Sequence, residues 1–231
     1  MTIHYREISQ KSDGIVEPSH FVAAPGNDSG FYRSFFKRAL DFSATFIAAP
    51  FVALIVSLLA LVVFAQDRRN PFYSQERVGK QGRIFTMWKL RSMNINADAI
   101  FNQYLDENPE ARKEWNEKQK LSFDPRITRF GAILRKTSLD ELPQLLNVLT
   151  GDMSLVGPRP MMPEQRVLYT GTAYYNLRPG ITGPWQVSER STGTFAGRAR
   201  FDEAYDRDLS LSQDLGLLGK TVGVVLRGTG Q

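Results

Sequence analysis

The sequence contains no cysteine, which excludes disulfides, thiolate metal sites and cysteine nucleophiles. Its two histidines, His4 and His20, both fall near the start of the chain. A core histidine for a catalytic triad or a zinc site is therefore excluded as well, and acid–base work falls to carboxylates or lysines. Charge is missing from one stretch: the 24 residues from Phe42 to Ala65 carry no charged side chain. About 20 apolar residues span a hydrocarbon core, so this run is long enough to enter a bilayer. It follows a polar stretch and lacks a small-residue cleavage signature, which argues against a removable signal peptide and for a permanent membrane segment over 31–67.

The flanks of that segment give no preferred orientation, because Lys37-Arg38 precede it and Arg68-Arg69 follow it and basic residues favour the cytoplasmic side. Hydropathy alone favours an ordinary single span. Two basic ends together with Pro50 also suit a helix that enters one leaflet, bends near Ala49-Pro50 and leaves by the same face. Residues 1–30, rich in Ser, Asp, Gly, Pro and Asn, read as a flexible cytoplasmic tail. What remains, 68–231, is about one ordinary domain in length. The net charge of +5 suits an anionic membrane surface, phosphorylated substrates or nucleic acid, and does not choose among them.

The expected fold is mixed α+β, mainly helical with a small β-hairpin. Two β-prone runs at 71–78 and 83–90 flank Gly79-Lys80-Gln81-Gly82, the pattern of a hairpin with a glycine-rich turn. Arg77, Lys80, Arg83, Lys89 and Arg91 project from it, and for any one of them a solvated edge charge is the ordinary reading. Asn96 to Lys120 is polar and helix-favouring, interrupted at Asn108-Pro109. Its aromatic residues suit either an interfacial amphipathic helix or a helix packing on the domain. Phe201 to Asp214 reads as an amphipathic helical pair.

The densest chemistry lies at Arg135-Lys136-Thr137-Ser138-Leu139-Asp140-Glu141-Leu142-Pro143, followed by Gly151 to Pro160. A carboxylate between cations is expected to keep a low pKa and can act as a nucleophile or metal ligand, while the cations can hold phosphate. Leu142, Leu145, Leu146 and Leu149 have the spacing of one buried helical stripe. That places Asp140 and Glu141 in the first turn, where free N–H groups also attract phosphate. Ser138-x-x-Glu141 matches a capping box, an alternative structural reason for the acid.

Residues 135–147, Gly151-Asp152-Met153-Ser154-Leu155-Val156-Gly157-Pro158-Arg159-Pro160 and Arg178-Pro179-Gly180-Ile181-Thr182-Gly183, with Phe72 to Gly79 and Lys89-Leu90-Arg91-Ser92-Met93, together resemble the bacterial sugar transferase family, the monotopic polyprenyl-phosphate phosphoglycosyl transferases. The stretches at 114–121 and 124–128 resemble its exopolysaccharide-initiating branch. The resemblance implies transfer of a sugar 1-phosphate, galactose or glucose first, from a UDP-sugar to undecaprenyl phosphate with release of UMP. It further implies a re-entrant membrane helix bent at Pro50, interfacial helices, and a catalytic domain on the cytoplasmic face of the bacterial inner membrane.

Within that resemblance Asp140 is the nucleophile that forms an aspartyl phosphosugar, Glu141 completes the dyad, and Mg²⁺ is held by Asp140 and diphosphate oxygens. Arg135 and Arg159 are expected on phosphate, and Lys89, Arg91 and Arg178 as further substrate contacts. Gln186-Val187-Ser188-Glu189-Arg190-Ser191 departs from relatives of that branch and leaves the sugar open. Membrane lipids, a homodimer and downstream glycosyltransferases are the partners implied; nucleic acid is not. Two readings compete: a membrane-anchored lipid-binding scaffold without catalysis, and a single displacement in which the dyad activates the polyprenyl phosphate.

Overall fold

The architecture is that of a computed structural model, described over residues 30–118, 121–188 and 195–226. The expected tail therefore lies almost wholly outside the described residues, as do positions 189–191 of the divergent segment. A π-helical turn, Tyr32–Phe36, leads into α1, Lys37–Asp67. The helix runs on through Pro50 and stops at Arg68, whose left-handed backbone (φ 58°) lets its N–H bond Phe64 O. Phe46, Ile47, Phe51, Leu54, Leu58 and Leu61 are each more than half exposed. A helix in the core of a soluble domain would bury such side chains, so this apolar surface suits lipid.

Both ends of α1 pack on the same globular body. At the start, Arg38 donates to Val148 O (2.5 Å) and Leu149 O (2.9 Å), Asp41 accepts from Ser154 Oγ (2.6 Å), and Thr45 is buried. At the far end, Ala60 and Val63 join Leu90 and Leu134 in one apolar cluster. Only the middle of the helix stands clear.

The hairpin forms as expected: β1, Phe72–Val78, pairs antiparallel with β2, Ile84–Leu90, in the register Arg77↔Phe85, Gln75↔Met87 and Tyr73↔Lys89. Gln81 and Gly82 make the turn in the left-handed region. Because side chains alternate along a strand and opposite residues share a face, this register gathers Arg77, Met87 and Lys89 on one surface. Two helices follow, α2, Ala97–Glu107, and α3, Pro109–Lys118, divided where the sequence indicates. Phe101 and Trp115 pack edge to face at 4.7 Å, with the Arg126 guanidinium 4.2 Å from the Phe101 ring centre, so these aromatics pack on each other and on the domain.

Helix α4, Arg129–Lys136, begins at Thr128, whose hydroxyl accepts from Gly131 N, the ordinary N-cap bond. The expected leucine-striped helix does not form as one element. Leu139–Gln144 is a 3₁₀ segment and only Leu145–Thr150, α5, is α-helical. Pro143 has no N–H to give an α-helical bond, and six residues at 3₁₀ pitch advance the phase by about 120° relative to an α-helix. Leu146 is consequently 59% exposed, while Gln144, Asn147 and Val148 are buried. The capping box is absent too: Ser138 sits in the left-handed region (φ 56°) and its side chain caps nothing.

Beyond α5, β3, Ser154–Val156, pairs parallel with β4, Gly180–Thr182. Their backbones approach so closely that a Cβ on Gly180 would lie 2.1 Å from Gly157 N. A four-residue helix, α6, Ala173–Asn176, and α7, Pro184–Ser188, flank this pair. Helices α8, Arg198–Asp208, and α9, Leu211–Leu226, then form the expected C-terminal pair and close a core through Val156, Leu177, Tyr205 and Leu217.

Candidate active site

The hairpin face, the 3₁₀ segment and the loop after β3 border an open cleft walled by Arg77, Lys89, Glu141, Arg159 and Gln186 among others. Asn147 fixes two of these walls together. Its amide donates to Thr86 O (2.8 Å) and its carbonyl oxygen accepts from Trp88 N (3.3 Å), so α5 is clamped to β2 beside Lys89.

Lys89 Nζ lies 2.7 Å from Glu141 Oε1 and 3.9 Å from Asp140 Oδ2. Glu141 contributes to the cleft wall, whereas Asp140 sits deeper and is 6% exposed. The sequence suggests a low pKa for Asp140, and here the structure differs. Burial pushes its carboxyl up and the Glu141 charge adds to that, while Lys89 and Arg135 act against it without prevailing. Burial costs more than the neighbouring cations return, because the ion is cut off from water on most sides.

Arg135, in the last turn of α4, faces both Asp140 and Asp124, and burial lowers its pKa. Arg126 grips Asp124 from two nitrogens, at 2.8 and 2.6 Å. Arg159 projects from between Pro158 and Pro160 onto the cleft wall. Four of the expected residues therefore gather around Asp140: Glu141, Lys89, Arg135 and Arg159.

Two do not join them. Arg91 lies beyond the end of β2 and pairs with Asp67 at 2.6 Å, at the C-terminal end of α1. Arg178 donates to Gly151 O at 2.9 Å and sits near Arg38, where it braces the end of α5. The one-residue step past the strand and the turn before β4 take their side chains away from the cleft, which motif membership does not reveal.

The structure adds residues that sequence reasoning did not assign to the site: Arg77, read there as an edge charge, Gln186, read there only within the divergent segment, and Arg198. Arg77 is half-buried, donates to Pro160 O (3.2 Å) and Gln75 Oε1 (2.6 Å), and has its pKa lowered to about 10 by desolvation and by Arg159. Arg198, at the start of α8, stacks 4.3 Å from the Trp185 ring centre and 4.2 Å from that of Phe195. Burial, with Arg159 and Arg77 nearby, lowers its pKa to about 9. Gln186 presents a buried amide to the same cleft. The hairpin pattern gives Arg77 one chance in two of facing inward; nothing local marks Arg198, which arrives by tertiary packing.

As a donor set the dyad offers two carboxylates, and among the described residues no three His, Asp or Glu side chains stand together as a metal cage. Such a pair fits an ion that takes few protein ligands and completes its shell with phosphate and water, as Mg²⁺ does, and does not fit an all-protein metal site.

Comparison with known proteins adds a family. The profile described as bacterial sugar transferase matches residues 32–228. A UDP-galactose-lipid carrier transferase of Erwinia amylovora is 44% identical over 200 residues, which are 85% of this chain and 41% of that protein. The exopolysaccharide production protein ExoY of Rhizobium meliloti is 42% identical over 192 residues, 82% of this chain and 84% of that protein. An undecaprenyl-phosphate galactose phosphotransferase of Salmonella typhimurium is 41% identical over 201 residues, 85% of this chain and 41% of that protein. The chain thus spans about two-fifths of the length of the Erwinia and Salmonella proteins.

Proposed function

Because this chain belongs to the bacterial sugar transferase family, we propose that it transfers a hexose 1-phosphate, galactose or glucose first, from a UDP-sugar to undecaprenyl phosphate and releases UMP. The reaction would open exopolysaccharide repeat-unit synthesis at the bacterial inner membrane, with the cleft on the cytoplasmic side. The observation that carries the reading is the Lys89-held pair Asp140 and Glu141 beside a cleft walled by Arg77 and Arg159, in a chain whose long helix exposes an apolar surface.

In the proposed mechanism an Asp140 oxygen attacks the phosphorus that bears the sugar. The bond from that phosphorus to the bridging oxygen breaks, and its electron pair leaves on UMP. A phosphate oxygen of the lipid then attacks the same phosphorus and expels the Asp140 carboxylate. With the lipid phosphate as a dianion, charge balances in both steps without a proton being moved, so Glu141 serves to hold Lys89 and Asp140 in place. Burial that disfavours the Asp140 anion also favours its consumption, since attack turns the carboxylate into the uncharged acyl part of a mixed anhydride and leaves the charge on the phosphoryl oxygen. Mg²⁺ held at Asp140 would supply charge neutralisation at the diphosphate when bound. Arg159 and Arg135 are the guanidinium groups placed to take phosphate oxygens in pairs.

The test is UMP release from a panel of UDP-sugars by the full chain in detergent with Mg²⁺, with and without polyprenyl phosphate, beside Asp140→Asn. Turnover needing both the lipid and Asp140 is expected, with the variant slower by about 10⁴-fold or more. Parallel initial-rate lines fit two displacements; intersecting lines point to a single displacement. An Asp140→Asn chain that behaves as wild type in every assay would leave the scaffold reading instead.

A further inference from the structure

Behind the cleft, four buried donors, Arg77 Nε, Arg198 Nε, Trp185 Nε1 and Gln186 Nε2, have no hydrogen-bond partner among the described residues, against one unpartnered acceptor, Gln186 Oε1. Arg77 and Gln186 line the cleft with Arg159. Arg198 lies directly behind, stacked on the ring of Trp185, the neighbour of Gln186 in α7. Two carboxylates act on this group, Asp202 on Arg198 and Glu141 on Arg77, and Glu141 is already bonded to Lys89, so three guanidinium groups outnumber the carboxylates that face them.

Leaving one buried donor unmade costs about 1–3 kcal/mol, and an unpaired buried charge costs more. A fold that gathers several on one wall lacks an acceptor that carries negative charge. Burial first, and neighbouring guanidinium groups second, lower the pKa values of Arg77 and Arg198 against the opposing charges of Glu141 and Asp202. Planar guanidinium groups and a primary amide together match the oxygens of a phosphate.

We infer that Arg77, Arg159 and Arg198, with the Gln186 amide, form one cradle for a phosphate monoester dianion, occupied in turn by the departing nucleotide and the arriving lipid phosphate. The inference rests on the two-displacement reading above. In that scheme UMP and the lipid phosphate are both monoester dianions, one leaving from and the other attacking the same phosphorus. In an in-line displacement the departing UMP and the attacking lipid phosphate both lie opposite the Asp140 oxygen, so the two need the same place. One headgroup at a time is therefore the arrangement that fits, and a single anion cradle serves both half-reactions.

The experiment uses the full-length chain carrying Asp140→Asn, in detergent, so that binding is read without turnover. UMP and a short-chain polyprenyl phosphate are each titrated by calorimetry, alone and in the presence of the other. The cradle predicts mutual displacement, and Arg198→Gln or Arg77→Gln weakening both ligands by a similar factor, about ten-fold or more. Gln186→Met, close in volume, keeps the wall filled and is expected to weaken both in parallel by a smaller factor, which guards against an arginine variant that fails to fold. Simultaneous binding of the two ligands would overturn the proposal, as would weakening confined to one of them. If the two displace each other while the wild-type chain transfers no sugar phosphate, the cradle stands and the transferase reading falls.

Discussion

Asp41, in the second turn of α1, accepts a 2.6 Å hydrogen bond from the hydroxyl of Ser154, the first residue of β3. The bond is buried at both ends and ties the apolar helix to the strand that leads into the Arg159 loop. Ser154→Ala leaves Asp41 short of one donor, keeping only the longer bond from Leu155 N (3.2 Å). It is expected to cost about 1–3 kcal/mol, read as a lowered melting temperature in detergent. An unchanged melting temperature would mean that the two elements are held by packing alone.

Asp140 must be ionised to attack, and its carboxyl is raised above the ordinary range. The acid limb of kcat/KM is therefore expected above the normal carboxylate titration, with activity lost as pH falls through it. Lys89 favours the ionised form. Lys89→Met removes that help, and the limb should move to still higher pH as the rate at neutral pH drops. A limb that stays put in the variant would show that Lys89 holds only Glu141.

Asp202 gives a pH effect on stability. Burial lifts its pKa to about 7 despite the 2.9 Å bond from Tyr169 and the nearby Arg198. Between its ordinary value of 3.8 and about 7 the folded chain keeps a proton that the unfolded chain has released, so stability falls as pH rises through that window and levels off above it. Asp202→Asn, which can still accept from Tyr169, should flatten the profile of melting temperature between these limits. A profile of unchanged slope would rule out Asp202 as its source.

Topology can be read without interference because the chain has no cysteine of its own. With both ends of α1 packed on one body, a re-entrant helix predicts that Ser34→Cys and Gln66→Cys react with an impermeant thiol reagent from the same side of a sealed vesicle. Reaction from opposite sides would establish a span.

Sequence patterning carried the hairpin, the break at Asn108-Pro109 and the long apolar helix, because each is set by local chemistry: strand alternation, a missing N–H, an unbroken apolar run. It failed at Leu146. There, a proline-containing 3₁₀ segment rotated the helix that follows, and Asn147 took the buried place to satisfy the β2 backbone. The dyad and its cations Lys89, Arg135 and Arg159 were legible as a cluster of motifs. Arg91 and Arg178 matched the motifs equally well yet turn elsewhere, and Arg77, Gln186 and Arg198 meet only through register and tertiary packing. The pKa of Asp140 was misjudged for a related reason: sequence shows its charged neighbours and conceals its burial.

The helix that meets lipid is also a wall of the protein's interior. Ala60 and Val63 share a cluster with Leu90, the residue after Lys89, and with Leu134, the residue before Arg135. Cutting α1 away to obtain a more tractable fragment would open a hole beneath Lys89 and Arg135 as well as removing the anchor. A trimmed chain that stays in solution should then bind and turn over its substrates poorly even when they are supplied in soluble form, and a harsh detergent that loosens α1 should damage the cleft before it unfolds the domain.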